Sequence, residues 1–600
     1  MIRLRIPLVL ALAAIALPAV PQKLQIQSQP TVPVTLDDRR KALDALFAQY
    51  WEDRLSHSPE FASSIGDKRW NDQLSDYSVE AYNQQLARDR DFIGKLGEID
   101  TAGMSDQEIL SKDLLLRDLI EDQEASVFKP WEMPVNQFNG LQLSLPQLVR
   151  RLSFTDAKDY DDYVARLNKV PTAFRQITDN MLTGVEDQRV PPKYLLEKVL
   201  VQVNALLAQK PEDSPFAQPL KKFPAGISAA EQTQIHDAVI ATLTKQVYPA
   251  YQRFAKFLQG VYIPAGRTDP GVWSLPNGDA YYAFLVKRST TTDLTPAQIH
   301  QIGLDQVAQD EARMLVIAKK LGYSDIASLR AAIAANPKLH PASADALLDA
   351  YRADLDKMRP KLPDLFTRLP KAPLVVEAVP AYMAKDQAEA YYEEGTPDGS
   401  RPGTVFVNTN DYEHTSLADV EAIAYHEGLP GHHLQISIAQ ELTGLPTFRK
   451  YLHYTAYTEG WGLYAEQLGK DVGLYQDPYS DYGRLEGDIT RAIRLVVDTG
   501  VHSQHWTRQQ MVDYFHAHSG LSDATINAEC DRYIAWPAQA LGYKIGQLKI
   551  LELRAQAQKE LGPKFDIRTF DDQVVDSGAL PMDVLDQRIT AWIQSQKGAQ

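Results

Sequence analysis

The chain has 600 residues, of which 44% are hydrophobic and 23% are charged, a composition typical of a globular protein and not of a disordered one. The 62 Lys and Arg side chains are outnumbered by 78 Asp and Glu side chains, which gives a formal net charge of −16. No basic excess exists to neutralise phosphates, so a general nucleic-acid binder is excluded. The single cysteine, Cys530, excludes an internal disulfide and any Cys-rich metal site.

The first segment of the chain, residues 1–20, is predicted to be a secretory signal peptide. Arg3 and Arg5 precede an apolar run over residues 6–20, with alanines near its end. This run is shorter than a typical membrane span, and an uncleaved N-terminal anchor is the alternative. Residues 21–36 are polar and are expected to form a flexible leader. We therefore expect an exported protein, in the periplasm of a bacterium, with no stable membrane insertion beyond the signal segment.

From residue 37 onwards the dominant hydrophobic period is helical. Residues 107–126 and 297–321 repeat apolar side chains at three- and four-residue steps. Thr295 is predicted to cap the second of these helices, and Gln298 completes a capping box with it. These patterns favour a mainly α fold.

Sheet is predicted at two places only, residues 278–291 and residues 403–409, which are rich in aromatic and β-branched side chains. The pattern as a whole predicts a single large helical domain over residues 37–600. Residues 37–290 form its N-terminal half, and residues 291–600 form a C-terminal half that carries the candidate site.

The candidate site begins at the sequence HEGLPGHH, residues 426–433. In the motif H-E-x-x-H, two histidines one helical turn apart bind zinc, and the adjacent Glu polarises the metal-bound water. Here His426 and Glu427 match the first half, but the second histidine, His432 or His433, arrives six or seven residues after His426. On an unbroken helix this spacing is a rise of about 9–10.5 Å, too far for one metal ion.

The residues inserted between the histidines can shorten the distance between their side chains. Gly428, Pro430 and Gly431 all break helices, so a kink is expected to bring one of the two later histidines back beside His426. The alternative interpretation is a capped surface helix that ends in a His-rich loop.

A third ligand is expected from the segment TEGWGLYAE, residues 458–466. Glu459 and Glu466 fall on one helical face, so Glu459 could bind zinc while Glu466 orients the ligands. The alternative is an exposed amphipathic helix whose acidic side chains face water.

Two further segments offer polar side chains. Arg491, Arg494, Asp498 and His502 share one helical face, which either lines a cleft or faces solvent. Tyr543 is a candidate donor to a developing oxyanion, although most tyrosines only pack.

Several segments together resemble one family, the bacterial domain-of-unknown-function 885 (DUF885) family, and the resemblance is strongest between residues 270 and 590. The segments are HEGLPGHHLQ (426–435), TEGWGLYAE (458–466), RAIRLVVDTGVH (491–502), ALGYKIG (540–546), YEEGTPDGSRPGTVFVNT (392–409) and LTPAQIHQIGLDQV (294–307).

The resemblance implies a zinc metallopeptidase of the Glu-ligand zincin type. It also implies a mainly helical fold in which two helical halves flank a deep cleft, with a small β-sheet near the metal helix. Carried over by motif, His426, His432 and Glu459 look like the zinc ligands and Glu427 looks like the general base. His433 is the reserve ligand.

The same resemblance implies that residues 406–409 belong to an edge strand, which would hold a substrate by strand addition.

The predicted function is an exported zinc peptidase that hydrolyses peptides bound in the cleft. Zinc would lower the pKa of a water from 15.7 towards about 7, and Glu427 would accept the proton and pass it to the leaving amine. Tyr543 or His502 would donate to the oxyanion. The alternatives are a zinc hydrolase of a cell-wall or other non-peptide amide, and a non-catalytic, metal-stabilised peptide-binding protein. Glu427 favours catalysis, because a structural zinc site needs no base beside its ligand.

Overall fold

The computed structural model describes residues 35–380, 384, 388–396, 399 and 401–598. The predicted signal peptide, and the predicted leader except for its last two residues, lie outside the described part.

The N-terminal half is built from helices and irregular links. Its helices are α1 (Leu36–His57), α2 (Pro59–Ser64), α3 (Val79–Gly97), α4 (Asp106–Ser126), α5 (Leu141–Leu148), α6 (Ala157–Leu167), α7 (Val170–Glu186), α8 (Lys193–Leu207), α9 (Ala229–Thr242), α10 (Tyr248–Phe257), α11 (Ile263–Ala265) and α12 (Gly278–Thr290). A cluster of buried apolar side chains between residues 135 and 263 forms its main core.

The C-terminal half is also helical and contains the described sheet. Its helices are α13 (Pro296–Lys320), α14 (Ile326–Ala335), α15 (Ala344–Met358), α16 (Leu362–Leu365), α17 (Leu417–Glu427), α18 (His432–Glu441), α19 (Thr455–Asp471), α20 (Pro478–Ser503), α21 (Arg508–His518), α22 (Asp523–Ala535), α23 (Leu541–Leu561), α24 (Ile567–Val575) and α25 (Met582–Gly598). Its strands are β1 (Leu374–Ala378), β2 (Ala390–Glu393) and β3 (Gly403–Val407). The prediction of a mainly α fold with a little sheet is confirmed.

Local sequence signals locate several of these helices. Helices α4 and α13 cover the two segments with the clearest helical period. At the start of α13, the Thr295 hydroxyl accepts from the Gln298 amide, and the Gln298 side chain accepts from the Thr295 amide. The predicted capping box is therefore confirmed.

The strand predicted at residues 278–291 is wrong, because this segment forms helix α12. Its buried residues Gly278, Tyr282, Val286 and Thr290 recur at four-residue steps, so one helical face packs into the core. The period of burial here outweighs the strand preference of aromatic and β-branched side chains.

The sheet has the order β1–β3–β2, with β1 parallel and β2 antiparallel to β3. Val376 faces Val405 in one pair of strands, and Tyr392 faces Val405 in the other. Strand β3 is therefore central, and the predicted edge strand at residues 406–409 is wrong, since neighbours on both sides use its backbone groups. Val405 and Val407 belong to the same core cluster as Val420 and Ala424 of α17, which keeps the sheet beside this helix.

Helices α17, α19, α20 and α23 pack closely in the C-terminal half. A Cβ built on Gly460 of α19 would lie 2.5 Å from the Cα of Gly546 on α23, so two glycines let these helices approach. Phe448 packs with apolar residues of α1, α3 and α4 and joins the two halves. Within the described residues, no helix combines the length and apolar character that crossing a bilayer requires.

Candidate metal centre

Three side chains from three helices converge inside the C-terminal half. His426 lies near the end of α17, His432 is the first residue of α18, and Glu459 lies in the second turn of α19. One ligand atom from each lies within 4.8 Å of those of the other two. The Nε2 atoms of His426 and His432 are 3.8 Å and 3.5 Å from Glu459 Oε2.

A break between two helices makes this convergence possible. Helix α17 ends at Glu427 and α18 begins at His432, so the predicted kink is confirmed. The backbone passes close to itself in the link. A Cβ built on Gly431 would lie 1.9 Å from the His426 carbonyl oxygen, so this position requires a glycine. The two extra residues of the motif are thus accommodated by non-helical backbone, and both histidines face the same point.

The His426 ring is fixed from two sides. Its Nδ1 donates to Glu466 Oε1 at 2.8 Å, which leaves Nε2 directed at the centre. The face of the ring lies against Gly462, where a Cβ would be only 2.6 Å from Nε2 and Cε1. Glu466 and Gly462 both belong to α19, so this helix supplies the third candidate ligand, the carboxylate of Glu459, and also positions the first histidine.

The donor set suits a zinc ion, and two of the three ligand separations are near those of a zinc site. With bonds of about 2.0–2.2 Å, the ligand atoms of a tetrahedral zinc site are about 3.3–3.6 Å apart. The observed separations of 3.8 Å and 3.5 Å are close to this. Two imidazoles and one carboxylate are a catalytic zinc donor set, in which the fourth position stays open.

The charged side chains of the cluster shift one another's pKa values. Burial by itself would lower the pKa of His426, but Glu459, Glu466 and the neighbouring Glu427 raise it to about 9. Burial would raise the pKa of Glu459, but His426 and His432 hold it well below its usual range. In the metal-free protein at neutral pH a protonated His426 therefore faces an ionised Glu459, and a bound metal ion would replace the proton on His426 Nε2. Glu427 is half-buried and is the last residue of α17, directly after a candidate ligand.

The structure distinguishes between the two candidate second histidines. His432 faces the cluster, and its Nδ1 is buried with no hydrogen-bond partner among the described residues. The Nδ1 of His433 instead lies 3.1 Å from the Tyr392 hydroxyl and 3.4 Å from Ser437 Oγ. Burial lowers the pKa of His433 to about 4. His433 is thus part of the contact between α18 and β2 and is not grouped with the other ligands.

Tyr543 lies beside the cluster. Its ring is nearly parallel to that of His426, with centroids 6.5 Å apart. Its hydroxyl accepts from Arg532 Nη2 at 3.3 Å, and the Arg494 guanidinium lies 4.6 Å from its ring centroid. Burial and then the charge of Glu459 raise the pKa of Tyr543, so its hydroxyl keeps its proton.

His502 has no free ring nitrogen. Its Nδ1 accepts from the Val272 amide at 3.1 Å and its Nε2 donates to the Tyr533 carbonyl at 3.0 Å. Burial lowers its pKa to about 3. Its neighbour on the same face, Asp498, is also buried and accepts from the Tyr282 hydroxyl at 2.6 Å. At these two positions the predicted polar face of α20 neither lines a cleft nor meets solvent, and His502 has no proton left for an oxyanion.

Sequence reasoning missed several residues that shape the site. Gly462 was detectable, because a glycine inside a helix costs about 1 kcal/mol and needs a packing reason. Arg532 and its partner Glu529, 3.4 Å apart, carry no motif. His453 was also missed, although its Nδ1 lies 3.3 Å from Thr458 Oγ1, next to Glu459.

A cavity of about 1070 Å³ lies between the two halves near these residues. Side chains of α1, α3, α4 and α12 line it on one side, and His453, Thr455 and residues 534–537 and 539 line it on the other. Thr455 begins α19, and Glu459 follows four residues later, which is about 6 Å along the helix. The cavity therefore reaches to about one helical turn from the candidate ligand.

Comparisons with known proteins agree on the fold and give no activity. The family model described as "Bacterial protein of unknown function (DUF885)" matches residues 59–589, and no curated protein matches the chain. The crystal structure of the "putative lipoprotein from Colwellia psychrerythraea" has a TM-score of 0.88 and 29% identity, covering 93% of this chain and 100% of that one. A "putative lipoprotein of unknown function from Shewanella oneidensis" has a TM-score of 0.72 and 16% identity, covering 91% and 99%. At this lower identity the likeness shows the fold alone.

Proposed function

This chain belongs to the DUF885 family of bacterial proteins of unknown function, and we propose that it is an exported, zinc-dependent peptidase. One observation carries the proposal. His426, His432 and Glu459 converge within 4.8 Å, and a second carboxylate, Glu427, directly follows the first histidine. A site that only stabilised the fold would not need that second carboxylate.

When bound to these three residues, zinc would supply a Lewis acid that acidifies a water and polarises a carbonyl. Glu427 acts as the general base that accepts the proton of the attacking water and then delivers it to the leaving amine. Glu466 holds the His426 ring in the tautomer whose Nε2 is free to bind the metal.

Tyr543 stabilises the negative charge that develops on the carbonyl oxygen. Its hydroxyl oxygen accepts from Arg532, and its own proton remains available for donation. Its raised pKa keeps the hydroxyl neutral at physiological pH. Donors of this kind contribute about 10²–10³ to the turnover rate.

The cavity between the two halves receives the peptide. A volume of about 1070 Å³ is large for a small-molecule site and suits a chain of several residues. Strand β2 lies at an edge of the described sheet, and its Tyr392 contacts His433 next to the ligand His432. Main-chain hydrogen bonds to this edge would hold peptides of varied sequence.

Export is supported by two observations. The first twenty residues carry a basic start and a short apolar run, and the two similar structures named above are each described as a "putative lipoprotein".

A peptide library tests the proposal directly. The purified, zinc-loaded protein is incubated with a mixed library, and mass spectrometry reads the products. We expect cleavage, and we expect Glu427→Gln to retain zinc by elemental analysis while turnover falls by about 10²–10⁴. Cleavage by this variant at the parental rate would contradict the assigned base. A zinc-loaded parent that binds peptides and cuts none would instead support the peptide-binding alternative.

A further inference from the structure

The cavity between the two halves contains a group of carboxylates that the proposed chemistry does not use. Tyr50 of α1, Asp89 of α3, and Asp118 and Asp122 of α4 all line it. Burial and the charges of these three carboxylates together raise the pKa of the Tyr50 hydroxyl to about 12, against the opposing effect of Arg54. The four groups, from three different helices, therefore line one and the same cavity.

The protein pairs this carboxylate group only in part. Asp122 pairs with Arg288 at 3.2 Å. Burial raises the pKa of both Asp118 and Asp122, and the charge of Arg54 opposes this effect. Of the three carboxylates, Asp122 is the one with an ion pair among the described residues, so pairing within the protein is incomplete.

Asp89 is the residue without a partner. It is only 7% exposed, and its Oδ2 is buried with no hydrogen-bond partner among the described residues. Burial, followed by the charge of Asp122, raises the pKa of Asp89 to about 7, against the opposing charges of Arg88 and Arg90. A buried carboxylate without a partner is unfavourable for folding, so its presence at a cavity wall points to a ligand that satisfies it.

Asp118 connects this group to the candidate metal centre. It accepts from the Tyr454 hydroxyl at 2.8 Å, and Tyr454 is the N-cap residue of α19. Glu459 lies on the same helix, five residues after Tyr454. This hydrogen bond places Asp118 beside the start of the helix that carries Glu459.

The spacing of the carboxylates selects the kind of cation. Among the described residues, only the cluster of His426, His432 and Glu459 has ligand atoms close enough to share one ion. The three aspartates do not form such a cluster, which favours an organic cation over a metal ion held by all three.

We propose that Asp89, Asp118 and Asp122 form a subsite for a positively charged group of the bound peptide, an ammonium or a guanidinium. The inference rests on the proposed function to the extent that the cavity binds peptides. The positive group has three chemical sources, namely the free amino terminus, a Lys side chain or an Arg side chain, and the experiment separates them.

The test measures binding by calorimetry, with the zinc-loaded full-length Glu427→Gln protein so that no probe is cut. The neutral probe is an alanine-rich hexapeptide with an acetylated N-terminus and no charged side chain. Three further probes each add one positive group: a free amino terminus, one Lys or one Arg. An acetyl-Lys version of the Lys probe controls for side-chain length. We expect at least one charged probe to bind tenfold or more tightly than the neutral probe.

The variant Asp89→Asn, added to the Glu427→Gln background, should reduce this preference to less than threefold. The matched control is Asp91→Asn, two residues along the same helix, where Asp91 is exposed and pairs with Lys95. This control should keep the full preference. Asp89→Asn should not lower the thermal midpoint, because it removes a buried, unpaired charge.

Two results would overturn the inference: equal binding of all probes, or a tenfold preference that survives in Asp89→Asn. Library cleavage by the parent protein distinguishes a failure of the subsite from a failure of the proposed peptidase function. Cleavage of the library without charge preference in binding leaves the peptidase standing and removes the subsite. Charge-selective binding that depends on Asp89, without any cleavage, supports the subsite and removes the peptidase.

Discussion

The substitution Gly462→Ala perturbs the metal centre by adding a single methyl group. The new Cβ would lie 2.6 Å from both Nε2 and Cε1 of His426 and 3.0 Å from Cδ2. Carbon and nitrogen atoms in ordinary contact are about 3.5 Å apart, so the ring must move by about 0.9 Å. Zinc sites tolerate ligand distances within about 0.2 Å.

The ring cannot move by this amount and keep both of its contacts. Its Nδ1 is bonded to Glu466 at 2.8 Å, and its Nε2 faces Glu459 at 3.8 Å. Loss of an orienting hydrogen bond costs about 10–100-fold in metal affinity, and displacement of the ligand atom itself costs more. We expect Gly462→Ala to bind zinc at least 100-fold more weakly, which is about 2.7 kcal/mol.

Competition against a chelator of known affinity, with zinc measured by elemental analysis, gives the two affinities. The control is Gly94→Ala in α3, where a Cβ would meet nothing within 4 Å. This control should bind zinc like the parent and be as stable or up to about 1 kcal/mol more stable. A Gly462→Ala protein with the parental zinc affinity would refute the account of how His426 is held.

Three further predictions concern other residues. Tyr543→Phe should lower kcat about 10²–10³-fold with little change in KM, as measured by steady-state kinetics. A rise in KM with unchanged kcat would contradict the oxyanion role. His432→Gln should lose bound zinc while His433→Gln should retain it, as measured by elemental analysis of both purified variants. If only His433→Gln lost zinc, His433 and not His432 would be the second ligand. Burial raises the pKa of Asp498 from 3.8 to about 7 in the folded protein, so its contribution to stability is full below pH 3.8 and is lost as the pH rises to about 7. This loss is of order 4 kcal/mol. The thermal midpoint of the metal-free Asp498→Asn protein should therefore fall less between pH 4.5 and 7.5 than that of the metal-free parent. An equal fall in both proteins would contradict the raised pKa of Asp498.

Much of the local structure could be predicted from the sequence because its causes are local. The box at Thr295 and Gln298 needs only four neighbouring residues, and the break between Glu427 and His432 follows from two glycines and a proline. The failures have tertiary causes. Residues 278–291 have strand-like composition, but burial of every fourth side chain against the core makes them a helix. Residues 403–407 were expected in a strand, yet their central place in the sheet depends on β1 and β2, which are distant in the chain.

The sequence alone determined the chemistry available to the site. It supplies two imidazoles and a carboxylate as candidate ligands, a second carboxylate beside the first histidine, and helix-breaking residues between the two histidines. Only the tertiary structure decided which groups meet. It directs His432 and not His433 towards Glu459, encloses both ring nitrogens of His502 in hydrogen bonds, and leaves Asp89 unpaired in a cavity. The physical reason is that residue type and spacing fix what a side chain can donate or accept. Its actual partner depends on helices whose packing brings together residues far apart in the chain.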